Sequence, residues 1–187
     1  MEYFGEKWDD NEFPLAYLIT VRTFGTWLHG DDRSSVDEHN DLNVYGTPRR
    51  LANKNLEGKM RKNMRSPPIV LNAEQRVAVA EAIKEVCLYR CYTLLALNVR
   101  TNHFHAVVSA QAKPEHVANA FKSYVTRKLR GCNLLPDEVS PWSRGRSRRY
   151  LWKEHHVDAA IDYVLYCQGE VDFENWYEIN ERQKRDR

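Results

Sequence analysis

Apolar residues along this chain fall into two rhythms. Between residues 93 and 110 they form short runs, Leu94-Leu95-Ala96-Leu97 with Val99, then Phe104, Ala106, Val107 and Val108, parted by the polar triplet Arg100-Thr101-Asn102. That pattern predicts two strands joined by a turn, the second over 103–109. Residues 15–24, rich in apolar, aromatic and β-branched side chains and stopped by Gly25, predict an earlier strand, and Tyr150-Leu151-Trp152 a short later one. Helical spacing governs the stretches between. Asn72 with Gln75 three residues on makes a capping-box pair, and Val77, Ala80, Ile83, Lys84 and Cys87, flanked by Ala73 and Val86, form the expected inner side of a helix ending near Arg90. Pro114 opens a second helix, Val117, Ala120, Phe121, Tyr124, Val125 and Leu129 form its core stripe, and Gly131 closes it. A third helix is expected over 157–168, with Val157, Ile161, Val164 and Leu165 inward and Gly169 as its stop.

The resulting order is strand, long insert, helix, strand, strand, helix, strand, helix. Before the last helix this is βαββαβ, which places the chain in the α+β class with a ferredoxin-like antiparallel sheet and two helices on one face. A length of 187 residues suits one domain. Around that domain lie an acidic, aromatic arm (1–13), the insert (26–70) and a charged tail (171–187). The insert carries Arg49, Arg50, Lys54, Lys59, Arg61, Lys62 and Arg65 against Glu57, with Leu51, Leu56 and Met60 able to line one side of a short helix. A solvated basic helix and a phosphate-gripping element are both open readings. Residues 133–147 read as a loop that runs into Arg144, Arg146, Arg148 and Arg149.

Charge changes this picture only locally. The net charge is +2, too small for the whole-protein field to announce a nucleic-acid partner, yet basic residues crowd 49–65 and 144–153 while acidic ones crowd both ends. The cysteines Cys87, Cys91, Cys132 and Cys167 form no Cys-x-x-Cys pair and no zinc framework. No apolar run approaches a membrane span, and no signal-like stretch precedes the chain, so reduced thiols, a cytoplasmic location and no membrane partner are expected.

The candidate chemistry centres on Asn102-His103-Phe104-His105-Ala106-Val107-Val108. Strand residues two apart share a face, so His103 and His105 project together while Phe104 turns toward the core. Two parallel imidazoles on a rigid strand are a bidentate seat for a divalent cation. A bare His-x-His is by itself more often a pair of surface histidines, and the context decides. On the last helix, Gln168 falls on the apolar side, where an amide needs a metal or a backbone partner. Tyr163 flanks that side and Tyr166 points to solvent. Asn102 is open to orienting a phosphate or pinning the turn, Arg100 and Lys153 to contacting a phosphate, and Lys122, Arg127, Arg146, Arg148 and Arg149 to following a DNA backbone, while each charge taken singly is more often a solvated one. Trp27, Trp142 and Trp152 are either core or base-stacking residues, and His116, His155 and His156 read as surface.

The histidine stretch resembles the His-hydrophobe-His motif of the HUH single-stranded-DNA endonucleases, in particular the IS200-like single-tyrosine transposases and their REP-associated relatives. Asp162-Tyr163-Val164-Leu165-Tyr166-Cys167-Gln168 is similar to their tyrosine helix, and Leu18-Ile19-Thr20-Val21-Arg22-Thr23-Phe24-Gly25-Thr26-Trp27 to their first strand and its exit. The resemblance spans 17–168. It implies a transposase-like endonuclease and strand transferase acting on single-stranded or hairpin DNA through a 5′-phosphotyrosine. Tyr163 would be the nucleophile, and His103, His105 and Gln168 would hold Mg²⁺ or Mn²⁺. In one respect the chain departs from the family. There the polar ligand follows the tyrosine by four residues, a place Cys167 takes here, with Gln168 one further on. Monomer and homodimer are both open. The main rival is a non-catalytic ferredoxin-like nucleic-acid-binding module, although the 103–109 strand lacks the aromatic pattern of RNA-recognition strands. A histidine-triad enzyme would want a third histidine where Val107 stands.

Overall fold

The computed structural model describes residues 13–31, 52–145 and 147–166. Along the chain come β1 (Ala16–Arg22), α1 (Lys54–Lys62), α2 (Ala73–Tyr89), β2 (Thr93–Val99), β3 (His103–Ser109), α3 (Pro114–Gly131), β4 (Ser147–Leu151) and α4 (Glu154–Tyr166). The four strands form one antiparallel sheet in the order β2-β3-β1-β4. This is the ferredoxin-like arrangement expected from the element order: two interleaved crossovers put the hairpin strand β3 beside β1.

Alternation along β1 and β3 divides the sheet into two working faces. Tyr17, Ile19 and Val21, with Phe104, Ala106 and Val108, face α2 and α3 and build the larger core. Phe104 sits at its centre, edge-on to Phe121 and to Trp142 with ring centroids 6.2 and 5.5 Å away. On the other face Ala16, Leu18, Val107 and Leu151 meet Ala159, Ala160, Tyr163 and Val164 of α4. The sheet is therefore covered by two helices on one side and by the tyrosine-bearing helix on the other.

The local signals explain where elements start. Asn72 caps α2 by accepting from the Gln75 N–H at 2.8 Å, and the Gln75 side chain accepts from the Asn72 N–H at 2.9 Å, the reciprocal capping box the sequence predicts. Pro114 opens α3. Residues 103–109 form β3 with the expected bounds.

Three expectations about faces and bounds are corrected. The inner side of α2 is Ala78, Val79, Ala82, Ile83, Val86 and Cys87, while Val77 and Lys84 are exposed. The alanine- and valine-rich helix is apolar on more than one side, so spacing alone could not choose the side. α4 begins at Glu154, three residues before the expected start. His156 and Tyr163 are buried and Leu165 is exposed, whereas Leu165 was expected inward and His156 at the surface. β4 begins at Ser147, so Arg148 and Arg149 lie in an edge strand rather than in a loop. Their polar side chains hid the first part of a strand that was expected only from Tyr150 and whose backbone is paired to β1.

Candidate functional site

His103 and His105 lie on the α4 face of β3, as the alternation requires, with ring centroids 4.6 Å apart. Each is held from behind. The Nδ1 of His103 is 2.7 Å from the Oδ1 of Asn102. A carboxamide oxygen only accepts, so that nitrogen carries a proton, and in the neutral ring Nε2 keeps its lone pair. The Nδ1 of His105 is 2.7 Å from the Oγ1 of Thr20, its direct partner across the β1–β3 pair. A threonine hydroxyl can take a hydrogen bond, and when it does His105 adopts the same tautomer. A partner on the far nitrogen is the usual way a ligating imidazole is oriented.

His105 is 7% exposed. Burial, with smaller contributions from His103 and from the charges of Arg22 and Arg100, pushes its pKa down to about 3. The ring is thus neutral near pH 7 and offers a lone pair rather than a proton. Tyr163 lies against it, ring centroids 5.5 Å apart and planes at 77°. Tyr163 is buried, whereas Tyr166, one turn on, is 78% exposed.

Strand register assembles the rest. Asn98 of β2, His105 of β3, Thr20 of β1 and Ser147 of β4 stand in one row across the sheet. Asn98 donates from Nδ2 to the carbonyl oxygen of Val164 at 3.0 Å, fastening the last described turn of α4 beside the histidines. Arg22 pairs with His103 in register, and its guanidinium lies 3.3 Å from the centre of the Trp27 ring. Asn102 also anchors the turn through its carbonyl, which accepts from the N–H and hydroxyl of Thr23 at 2.9 and 3.0 Å. Thr20, Arg22 and Asn98 were not singled out from the sequence. The available signal was a polar residue interrupting an apolar strand, and only register says which of these face the histidines.

The sequence-derived candidates divide. Tyr163, His103, His105 and Asn102 come together. Arg100 sits exposed at the β2–β3 turn, and its charge reaches His105. Arg149 pairs with Leu18 and so lies on the histidine face, whereas Arg148 lies on the opposite face, ion-paired with Glu115 of α3. Lys122 of α3 donates to the carbonyls of Ser143 at 2.9 Å, Gly145 at 3.3 Å and Arg144 at 3.4 Å, pinning the segment before β4. Arg127 lies over Tyr124, 5.0 Å from its ring centre, on the α3 side. Lys153 is exposed at the start of α4, where its carbonyl accepts from the His156 and Val157 N–H groups. Gln168 and Arg146 lie outside the described residues. Among the described residues no three His, Cys, Asp or Glu side chains cluster as a metal site. No helix among them is long and apolar enough to cross a membrane.

No protein-family model and no curated protein matches the chain. Solved structures do. One is a REP-associated tyrosine transposase bound to a REP hairpin, similar over 88% of this chain and 70% of that one, at 13% identity and a TM-score of 0.48. Another is a candidate transposase from Deinococcus radiodurans, similar over 87% of this chain and 97% of that one, at 14% identity and a TM-score of 0.44.

Proposed function

We propose that this chain is a metal-dependent, single-tyrosine endonuclease and strand transferase acting on single-stranded DNA, of the transposase type. The observation that carries the reading is the contact of a buried tyrosine with His105, which burial holds neutral, in a back-bonded histidine pair. Tyr163 lies against His105, and both histidines have their Nδ1 atoms engaged by Asn102 and Thr20. Two imidazoles that keep their Nε2 lone pairs fit a divalent cation such as Mg²⁺ or Mn²⁺, which takes its other ligands from oxygen donors: substrate phosphate, water and, by the resemblance, Gln168. When bound, such a cation would polarise a phosphodiester and offset charge that develops on it.

The protein's own residues do the rest. Thr20 and Asn102 hold the imidazoles in the ligating tautomer. Asn98 holds α4 against the sheet, so the Tyr163 hydroxyl stays beside the site. The Tyr163 oxygen attacks phosphorus and gives its proton to water, and the bond from phosphorus to the 3′ oxygen breaks as that oxygen takes a proton from water. A phosphotyrosine on the 5′ side and a free 3′-OH result. Attack by a 3′-OH on that link then reseals or transfers the strand. Arg22, Arg100 and Arg149 lie on or beside the same sheet face and supply positive charge for the backbone of the strand or of an adjoining hairpin.

The test is a labelled single-stranded or hairpin oligonucleotide incubated with Mn²⁺ and resolved on a denaturing gel. Wild type is expected to give a covalent protein–DNA adduct that chelator prevents. Tyr163→Phe, which removes only a hydroxyl, should lose the adduct and keep DNA binding, while Tyr166→Phe should keep both. An adduct that persists in Tyr163→Phe would overturn the assignment. No adduct in any variant, with DNA still bound, would leave the non-catalytic binding module.

A further inference from the structure

We propose that a cavity at the open end of the sheet, next to the histidine pair, is a subsite for one unpaired nucleobase of the DNA strand. The proposal rests on the single-stranded-DNA reading above and adds to it a place where the sequence of that strand is read.

The cavity has a volume of about 310 Å³ and lies between the exit of β1, helix α1, the segment leading to α2 and the β2–β3 turn. Its walls are closed by specific backbone geometry. Gly25 has φ +72°, and a Cβ there would stand 2.3 Å from the Met64 Cε and 3.1 Å from the Pro68 Cα. Gly30 has φ +94°, and a Cβ there would stand 2.4 Å from the Asn53 carbonyl oxygen and 2.9 Å from the Glu57 nitrogen. Gly25 needs glycine for its conformation, and Gly30 needs it both for conformation and for the close approach of the α1 backbone. Through them α1 and the segment after it seat directly on the β1 exit. The Ile69 N–H donates to the Phe24 carbonyl at 2.9 Å and the Leu71 N–H to the Thr101 carbonyl at 2.7 Å. The wall is therefore laced to the β1 exit and to the β2–β3 turn, which adjoin each other at the histidine end of the sheet.

The lining selects the ligand. Leu28, Pro68 and Val70 offer apolar surface, and Val70 is 64% exposed despite lying in a concave site. The two charged lining residues do not make an anion cradle. Arg61 is already hydrogen-bonded to Glu57 at 2.7 Å, and Asp31 would repel a phosphate. A flat, neutral, partly apolar group with a polar edge suits such walls, and a nucleobase is that group. The volume lies at the lower end of the roughly 300–1,000 Å³ typical of small-molecule pockets, so it suits one base rather than a stack. The link to the chemistry is Asn102, which lines the cavity while its side chain accepts from His103. A phosphate at the histidines thus puts a neighbouring base at the cavity mouth.

The experiment begins with an oligonucleotide selected for binding from a randomised single-stranded pool. Each base is then removed in turn, leaving an abasic sugar, and affinity is read by fluorescence anisotropy. For the wild type, one position is expected to lose roughly tenfold on base removal, the order of loss expected when part of a base's apolar surface is no longer buried. Val70→Trp, which fills the cavity from an exposed position, should bind the intact strand roughly tenfold more weakly and show no further loss at that position. Val70→Glu should do the same by placing a carboxylate at the mouth. Leu88→Trp, on the exposed side of α2, should keep the wild-type profile. A profile that survives both Val70 variants, or one with no sensitive position in a strand that binds and is cut, overturns the subsite while leaving the nuclease reading intact. Failure to bind any single strand would overturn both.

Discussion

His105 is the residue on which structure and chemistry meet most tightly. An unfolded histidine has a pKa near 6.5, and the folded cation-free protein holds this one at about 3 through burial. Between those values the unfolded chain takes up a proton that the folded chain refuses. The stability His105 contributes is therefore complete above about pH 6.5 and drains away as pH falls toward 3. Between pH 6.5 and 4.5 the loss should be roughly 2 kcal/mol. Urea unfolding of wild type and of His105→Gln at both pH values measures it as the extra loss shown by the wild type. Equal losses would mean that the folded ring takes up protons freely. The Thr20 hydroxyl belongs to the same unit, because it orients the ring and satisfies the nitrogen that faces the sheet.

Among the elements, α4 has the most demanding task. It covers one face of the sheet with a short apolar stripe and must also hold Tyr163 at the histidines. Its last described turn is fastened by the Asn98 amide on the Val164 carbonyl. A hydrogen bond of this kind contributes about 0.5–1.5 kcal/mol net. Asn98→Ala should therefore speed amide hydrogen exchange in the last turn of α4 by roughly threefold to tenfold. It should lower adduct formation while leaving affinity for single-stranded DNA unchanged. Unchanged exchange in that turn would show that packing alone positions the helix. The capping box of α2 is a contrasting case: its two reciprocal bonds are local, and the Gln75 amide adds one long-range bond to the Leu134 carbonyl at 2.8 Å.

At the scale of the whole molecule, the sheet separates two kinds of positive charge. Arg149 faces the histidine side and Arg148 faces α3, where Glu115 holds it. Charge reversal at these neighbours should then have different consequences. Arg149→Glu should weaken single-stranded DNA binding and lower the slope of log affinity against log salt by about 0.7 for each phosphate that is no longer neutralised. Arg148→Glu should lose the ion pair and leave the slope as it was. Anisotropy titrations from 50 to 200 mM salt separate the two, and a common loss of slope would mean that the strand wraps both faces.

Much of this was readable along the chain, for identifiable reasons. The β3 bounds, the His103/His105 face, the Phe104 core position, the α2 cap and the Pro114 start all follow from interactions within a few residues of one another. Such interactions leave a local pattern of period two, period 3.6 or a capping pair. The ferredoxin-like order followed from those elements in sequence. What lay beyond the pattern required a partner distant in the chain. The inner side of α2 was ambiguous because small apolar residues occupy several sides, and packing on α3 and the sheet decides among them. Only the first part of β4, 147–149, was masked by its arginines, since an edge strand can be polar on its exposed positions and still pair through its backbone. The row Asn98–His105–Thr20–Ser147 depends on register across four strands, and no single stretch encodes it. The sequence thus determined which side chains each element carries. The tertiary structure decided which of them meet, because strand register and helix docking are set by long-range burial that no local period records.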